Sequence, residues 1–407
     1  MKMKTQRKTE KRKCAAGTRR ARAPRSRARR ASKPWTRRPR DRRRWAIHPG
    51  AGRAPIIAVT PGEPGGIGPE ITARLFAGFT PKGSIALIIG ARRVLDPWLA
   101  RYGATPGFIE TARTAKTAPD ERRRGDLVSR VREALTSLPR GARAPRVLVL
   151  DTGCTETFRR GRDSLGGGRH SGFALDVACA LATEGIVEGI VTGPVSKNSL
   201  QLGGYPFTGH TEFLSRHFSA PDCQMMMVYR AFRVVPLTRH LPVRDVSRAL
   251  SARRIVAALR VVNESLVHEF GVPSPRLAVS GLNPHAGEEG VLGGEEAAII
   301  EPALREARRS GLHVTGPVPG DALFQDAESG TFDAFITMYH DQGLIPFKMI
   351  SKRRGVNVTV GLPVVRTSVD HGVAYDIAGK GIASTESLKA AYRLAETLVK
   401  RRRKRMG

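Results

Sequence analysis

Short, wholly apolar runs alternate with amphipathic stretches along most of this chain, and most of the apolar runs stop at a turn built from Gly or Pro. PIIAVT, SIALIIG, RVLVLDTG, IVEGIVTGP, RLAVSG, FDAFITM and GVNVTVG read as buried strands. HSGFALDVACALATEG, DVSRALSARRIVAALRVVNESLVHEFG, GGEEAAIIEPALREARRSG and TESLKAAYRLAETLVKRRRKR carry helical spacing, and QMMMVYRAFRVVPLTRH fits a hairpin. Strands linked by helices in this way specify an α/β fold around a largely parallel sheet. Residues 113–145 are strongly charged and read as a surface excursion with one helix. No internal repeat is evident.

A chain of 407 residues, 40% hydrophobic, can bury a large core, and its length suits two lobes better than one. No apolar run is long enough to cross a bilayer, and the N-terminus lacks the apolar segment of a secretory signal. Cys14, Cys154, Cys179 and Cys223 are widely spaced with no C-x-x-C pair, which suits a reducing cytoplasm. The net charge of +33 is concentrated at the ends. Residues 1–54 hold 22 Lys/Arg against Glu10 and Asp41, and Lys400 to Arg405 add 6 more, leaving about +7 for the remainder. The arm RRARAPRSRARRASKPWTRRPRDRRRW has almost no aliphatic residues and is expected to be disordered. It suits a nonspecific nucleic-acid tail or a dispensable extension; a transit peptide would need an amphipathic stripe that it lacks. The arm and the C-terminal run read as detachable. With aromatics at 6%, the rest offers few stacking platforms, so nucleic acid is expected only nonspecifically through the arm.

Four segments carry candidate chemistry. TPGEPGGIGPEI (Thr60–Ile71) follows a strand and precedes a helix, a place that suits anions, but its third glycine position falls on Ile71. It is not the dinucleotide fingerprint. In GYPFTGHTEFLSRHF, His210 precedes Thr211-Glu212, which are placed to begin a helix, and His217 could share a face with His210; the spacing is not H-E-x-x-H. His240, His285 and His340 each stand between an apolar run and a turn, where loops past strand ends line a ligand crevice. Each alone is an ordinary loop histidine; three converging imidazoles would make a divalent-metal site with open positions. Lys348, Asn357 and Arg366 surround a buried strand, and a point charge beside a bidentate fork suits a small substrate carrying a carboxylate and a phosphate.

The set TPGEPGGIGPEI, VTGPVSK, PFTGHTEFL, GLNPHAGEEG, GDALF, MYHDQG and GVNVTVGLPVVRTSVDHGVAYDIAGKG closely resembles the 4-hydroxythreonine-4-phosphate dehydrogenase family of pyridoxine biosynthesis, in the family's order, from about Pro55 to about Lys400. The resemblance implies a two-lobed α/β/α fold of the isocitrate/isopropylmalate dehydrogenase type, not a Rossmann fold. Residues 55–205 with about 360–407 would form one lobe, and about 206–359 the other, carrying the metal site and dimer contacts. It implies a homodimer whose cleft sites are completed by the neighbouring subunit. Metal ligands would be His240, His285 and His340; substrate contacts would be His210, Thr211, Lys348, Asn357 and Arg366, with Lys348 also relaying a proton. NAD or NADP would serve as cofactor, with no residue assigned to it, beside one divalent ion such as Zn, Co or Mg. The expected reaction oxidises and decarboxylates 4-phosphooxy-L-threonine. A sister enzyme acting on threonate or erythronate 4-phosphate is the nearest rival.

Overall fold

The computed structural model describes residues 53–109, 120–138, 145–207, 209–325, 327–352 and 354–406. The arm expected over residues 1–54 lies outside them except for its last two positions. Among the described residues, twelve strands form one sheet: β1 (Ile56–Thr60), β2 (Ile85–Gly90), β3 (Gly107–Ile109), β4 (Val147–Asp151), β5 (Gly189–Thr192), β6 (Gln224–Tyr229), β7 (Phe232–Pro236), β8 (Arg276–Ser280), β9 (His313–Val318), β10 (Ala334–Thr337), β11 (Val356–Val360) and β12 (Val365–Val369). Their order is β3-β4-β2-β1-β5-β12-β11-β6-β7-β10-β8-β9. Eight pairings are parallel; the three antiparallel ones (β12–β11, β11–β6 and β6–β7) lie together mid-sheet. The largely parallel expectation therefore holds, and the mid-sheet reversal separates this mixed α/β fold from a doubly wound dinucleotide-binding sheet.

Alternation explains why the sheet is buried on both faces. On β1, Ile57 and Val59 enter one core while Ile56 and Ala58 enter another. The helix Ala252–Ser265 buries Ile255, Val256, Leu259 and Val262, a one-sided stripe, and Gly271 caps its extension at φ 73°. Each such side chain contributes roughly 1.5–3 kcal/mol on burial.

Three expectations change. The charged excursion contains its one helix (Glu121–Ser137), yet Leu127, Val128, Val131 and Leu135 bury one face in the core, so it is more than surface. The strands β3, β9 and β12 were not legible as separate strands. The C-terminal basic run is not detachable: it ends the helix Glu386–Met406, where Arg402 donates to Glu269 at 2.6 Å and to the Leu362 and Pro363 carbonyls, and Arg403 pairs with Glu188. Among the described residues no helix is long and apolar enough to cross a membrane.

Candidate active site

Parallel strands deliver their following loops to one edge of the sheet. The loop after β1, TPGEPGGIGPEI, is used for packing. Its Glu63 N–H donates to the Pro194 carbonyl, Gly65 N–H to Glu63 Oε1, Gly66 N–H to the Glu63 carbonyl, and Ile67 N–H to Val373. The amides that could have cradled an anion are thus spent, two within the loop itself and two on joining it to the loops after β5 and β12. Gly62 (φ 84°) permits this, because a Cβ there would sit 2.1 Å from the Pro194 oxygen.

A cationic pocket lies on the β5–β12–β11 rungs. Arg366 pairs in register with Thr359, and Ser368 pairs with Asn357 and Thr192. Paired residues share a face, so these side chains gather. Arg366 is 1% exposed. Its Nη1 donates to Thr359 Oγ1 at 2.9 Å and its Nη2 to Thr192 Oγ1 at 2.7 Å. It has no carboxylate partner among the described residues, and burial lowers its pKa to about 10. His210, at the start of the helix His210–His217, is pushed well below the ordinary histidine value by burial and then by the Arg366 charge, so its ring is neutral. Arg366 Nε, His210 Nε2 and Asn357 Oδ1 are buried without a hydrogen-bond partner among the described residues. Buried polar atoms are rarely left so; an anionic oxygen would accept from Arg366 Nε, whereas Asn357 Oδ1 calls for a hydroxyl or ammonium donor on the same ligand. Thr211 is buried beside them on the same helix. His217 instead packs on Phe213 and Phe218 and does not join the pocket.

The three loop histidines are only partly brought together. The His240 and His340 rings lie 6.1 Å apart, and Asp341 Oδ1 is 2.6 Å from His340 Nδ1, leaving Nε2 as the free donor atom. Partial burial, then the Lys197 ammonium, lowers the His240 pKa and keeps that ring neutral. Two imidazoles of one chain therefore suit a shared divalent cation. His285 does not join them: no three His, Cys, Asp or Glu residues among those described form a metal-holding group. His240 and His285 both sit at φ 51°, in the left-handed region. From His285 through Glu289 five consecutive residues are left-handed, an inverted turn that sequence could show only as PHAGEEG.

Lys348 is exposed on the helix His340–Ser351, and its charge reaches Asp370, whose own pKa burial raises. Four residues escaped the sequence reading. Thr192 and Thr359 hold Arg366, and a Thr inside an otherwise apolar strand was the available signal. Lys197 in VTGPVSK lies near His240. Glu63 is fully buried, its pKa raised by burial to about 7.

The family described as pyridoxal phosphate biosynthetic protein PdxA matches residues 87–395. The chain belongs to the PdxA family. A 4-hydroxythreonine-4-phosphate dehydrogenase of Desulforapulum autotrophicum is 39% identical over 84% of this chain and 94% of that protein. A D-threonate 4-phosphate dehydrogenase of Bordetella bronchiseptica is 37% identical over 85% and 93%. The crystal structure of the Klebsiella pneumoniae 4-hydroxythreonine-4-phosphate dehydrogenase matches with TM-score 0.71 and 33% identity, covering 86% of this chain and 99% of that one. The matches to the Desulforapulum and Bordetella proteins thus take in nearly the whole of each relative.

Proposed function

We propose that this PdxA-family protein is a NAD(P)-dependent dehydrogenase that converts 4-phosphooxy-L-threonine to 3-amino-2-oxopropyl phosphate and CO2 in pyridoxal 5'-phosphate biosynthesis. The observation that carries the reading is the buried, carboxylate-free guanidinium of Arg366, flanked by the orphaned His210 Nε2 and Asn357 Oδ1. This is a receptor for a small, strongly anionic substrate in a chain whose relatives are named for acting on one. Arg366, His210, Thr211 and Asn357 bind and orient the phosphorylated end, excluding water from it. A bound nicotinamide would supply the hydride acceptor for oxidation of the carbon bearing the secondary hydroxyl, whose proton leaves; the β-keto acid then loses CO2, and the carbon that carried the carboxylate takes up a proton. We assign that proton movement to Lys348 Nζ. A divalent cation (Zn, Co or Mg), held by His240, His285 and His340 once a second copy completes the cleft, would supply polarisation of the hydroxyl oxygen and stabilise the charge left by CO2.

Homodimerisation is part of this reading. Leu241, Val243, Val291, Leu292, Ile345 and Met349 are exposed apolar residues on the segments that carry all three histidines. A second copy would cover them and complete the cleft. The isocitrate/isopropylmalate dehydrogenase type is the finer fold reading. It is supported by the sheet order, in which β1–β5 with β12 occupy one half and β6–β11 the other, as expected for lobes of 55–205 plus 360–407 and of 206–359. Buried, unpaired Cys154, Cys179 and Cys223 suit the cytoplasm.

D-threonate 4-phosphate as substrate is the second reading, favoured by the Bordetella relative's 37% identity over 85% of the chain. NADH or NADPH formation, measured with each acid phosphate and added metal on wild type and His285→Ala, tests both. Preference for 4-phosphooxy-L-threonine and loss of turnover in His285→Ala are expected. Preference for threonate 4-phosphate would transfer the assignment, and full activity in His285→Ala would remove that histidine from the site.

A further inference from the structure

The loops bearing His240, His285 and His340 come from three different strand ends, yet side chains outside the histidine set bond them to one another. Gln342, one helical step past His340, is the first link. Its Oε1 accepts from Met338 N–H at 2.8 Å and from Ser280 Oγ at 2.9 Å, and its Nε2 donates to the Gly281 carbonyl at 2.8 Å. One amide thereby fixes the approach to His340 against the exit of β8, which leads into the His285 turn.

Glu296 is the second link. It is 4% exposed, and its Oε1 accepts from Leu282 N–H at 2.7 Å and from Asn283 N–H at 2.8 Å. Its Oε2 accepts from Asn283 Nδ2 at 2.9 Å. The carboxylate also packs against the turn itself, since a Cβ on Gly287 would lie 2.7 Å from Oε2. Neighbouring Glu295 accepts from the same Asn283 amide at 2.9 Å and from Ser247 Oγ at 2.8 Å, on the segment that follows His240. Thr238 closes the circuit: its N–H and Oγ1 both donate to the Met338 carbonyl, at 3.1 and 2.8 Å, two residues before each of His240 and His340.

We infer that Gln342 and Glu296 are positioning residues that hold the three histidine loops as one unit and stabilise the left-handed turn that aims His285. The inference rests on the reading of the three histidines as cation ligands. A run of left-handed L-residues costs roughly 1–2 kcal/mol per residue, so it persists only where its surroundings over-determine it. The three bonds to Glu296 and three to Gln342 are such surroundings. Outer groups that orient metal ligands commonly govern affinity by 10–100-fold.

The test uses the full chain, stripped of metal and titrated with Co(II) by calorimetry, with hydrogen exchange followed at the amides of residues 280–290. Gln342→Ala is expected to weaken Co(II) binding by about 10–100-fold and to speed exchange in that segment, while inorganic phosphate affinity, set at Arg366, stays at the wild-type value. Gln342→Glu keeps both acceptor contacts but turns a carboxylate oxygen, which cannot donate, towards the Gly281 carbonyl, so it too should weaken Co(II) binding and speed exchange; it carries the test alone if Gln342→Ala does not fold. Wild-type Co(II) affinity and unchanged exchange in the Gln342 variants would overturn the inference. His285→Ala separates the two readings. If it too binds Co(II) like wild type, the cation assignment of His285 falls; if it loses Co(II) while the Gln342 variants do not, only the positioning role falls.

Discussion

Arg366 shows how much one side chain can decide. Two threonine hydroxyls accept from this buried guanidinium, and on the proposed reading the substrate's anionic end provides its countercharge. Arg366→Met should therefore raise KM for the acid phosphate by about 30- to 1000-fold, the equivalent of ~2–4 kcal/mol, with a much smaller change in Tm; steady-state kinetics beside calorimetry would check both. Glu63 allows a pH test. Burial lifts its pKa from 4.5 to about 7, so the folded state holds this proton more tightly than the unfolded one. Its contribution to stability is then fullest below pH 4.5 and is lost as the pH climbs towards 7. Glu63→Gln does not titrate, so its Tm relative to wild type should rise across that window and level off above it; a constant difference would refute the argument. His210, Asn357 and Arg366 could be singled out in the sequence because their motifs are short and contiguous. Glu63 could not, because its raised pKa arises from burial and from the Asp163 charge, against a Ser199 hydrogen bond that lowers it, and these groups are distant in sequence and brought close by the fold.

Among the elements, the turn after β8 departs most from what sequence can say. PHAGEEG announces a break in the strand, since Pro and Gly do so anywhere, but backbone handedness is not written in residue type when Ala286, Glu288 and Glu289 adopt positive φ. Two substitutions follow with opposite signs. Ala286→Gly relieves a left-handed L-residue and loosens the unfolded chain, for a net gain of about 0.5–1 kcal/mol and a slightly higher Tm. Gly287→Ala would press a methyl against Glu296 Oε2 at 2.7 Å and the Gly293 carbonyl at 3.1 Å, and should lower Tm and weaken Co(II) binding together. Differential scanning calorimetry on the pair distinguishes strain from packing. Strands β9 and β12 were missed for a different reason: HVTGPV and VRTSV hold too many polar, Gly or Pro positions to read as apolar runs, yet in β12 Arg366 lies with Thr359 and Thr192 on one face while Thr367 donates to the Ala391 carbonyl on the other.

For the whole molecule, the α/β class, its largely parallel sheet and the central hairpin were legible because apolar periodicity reports burial directly. The fate of the basic ends was not, because charge counts do not reveal partners. The C-terminal arginines serve the core. Glu269 is buried, its pKa raised by that burial and drawn back by Arg402. Arg402→Ala strands this carboxylate and should cost about 3–5 kcal/mol, measurable by urea denaturation, whereas deleting residues 1–50 should leave turnover within about twofold. The position of β12 has a further consequence for how such a chain is made. That strand pairs with β5, some 170 residues earlier, and the helix after it packs across both. Residues 206 to 360 can close their half of the sheet as soon as they leave the ribosome, but the N-terminal half, synthesised first, must wait for the last strand and helix to be released. The half that is made first is the half that is finished last.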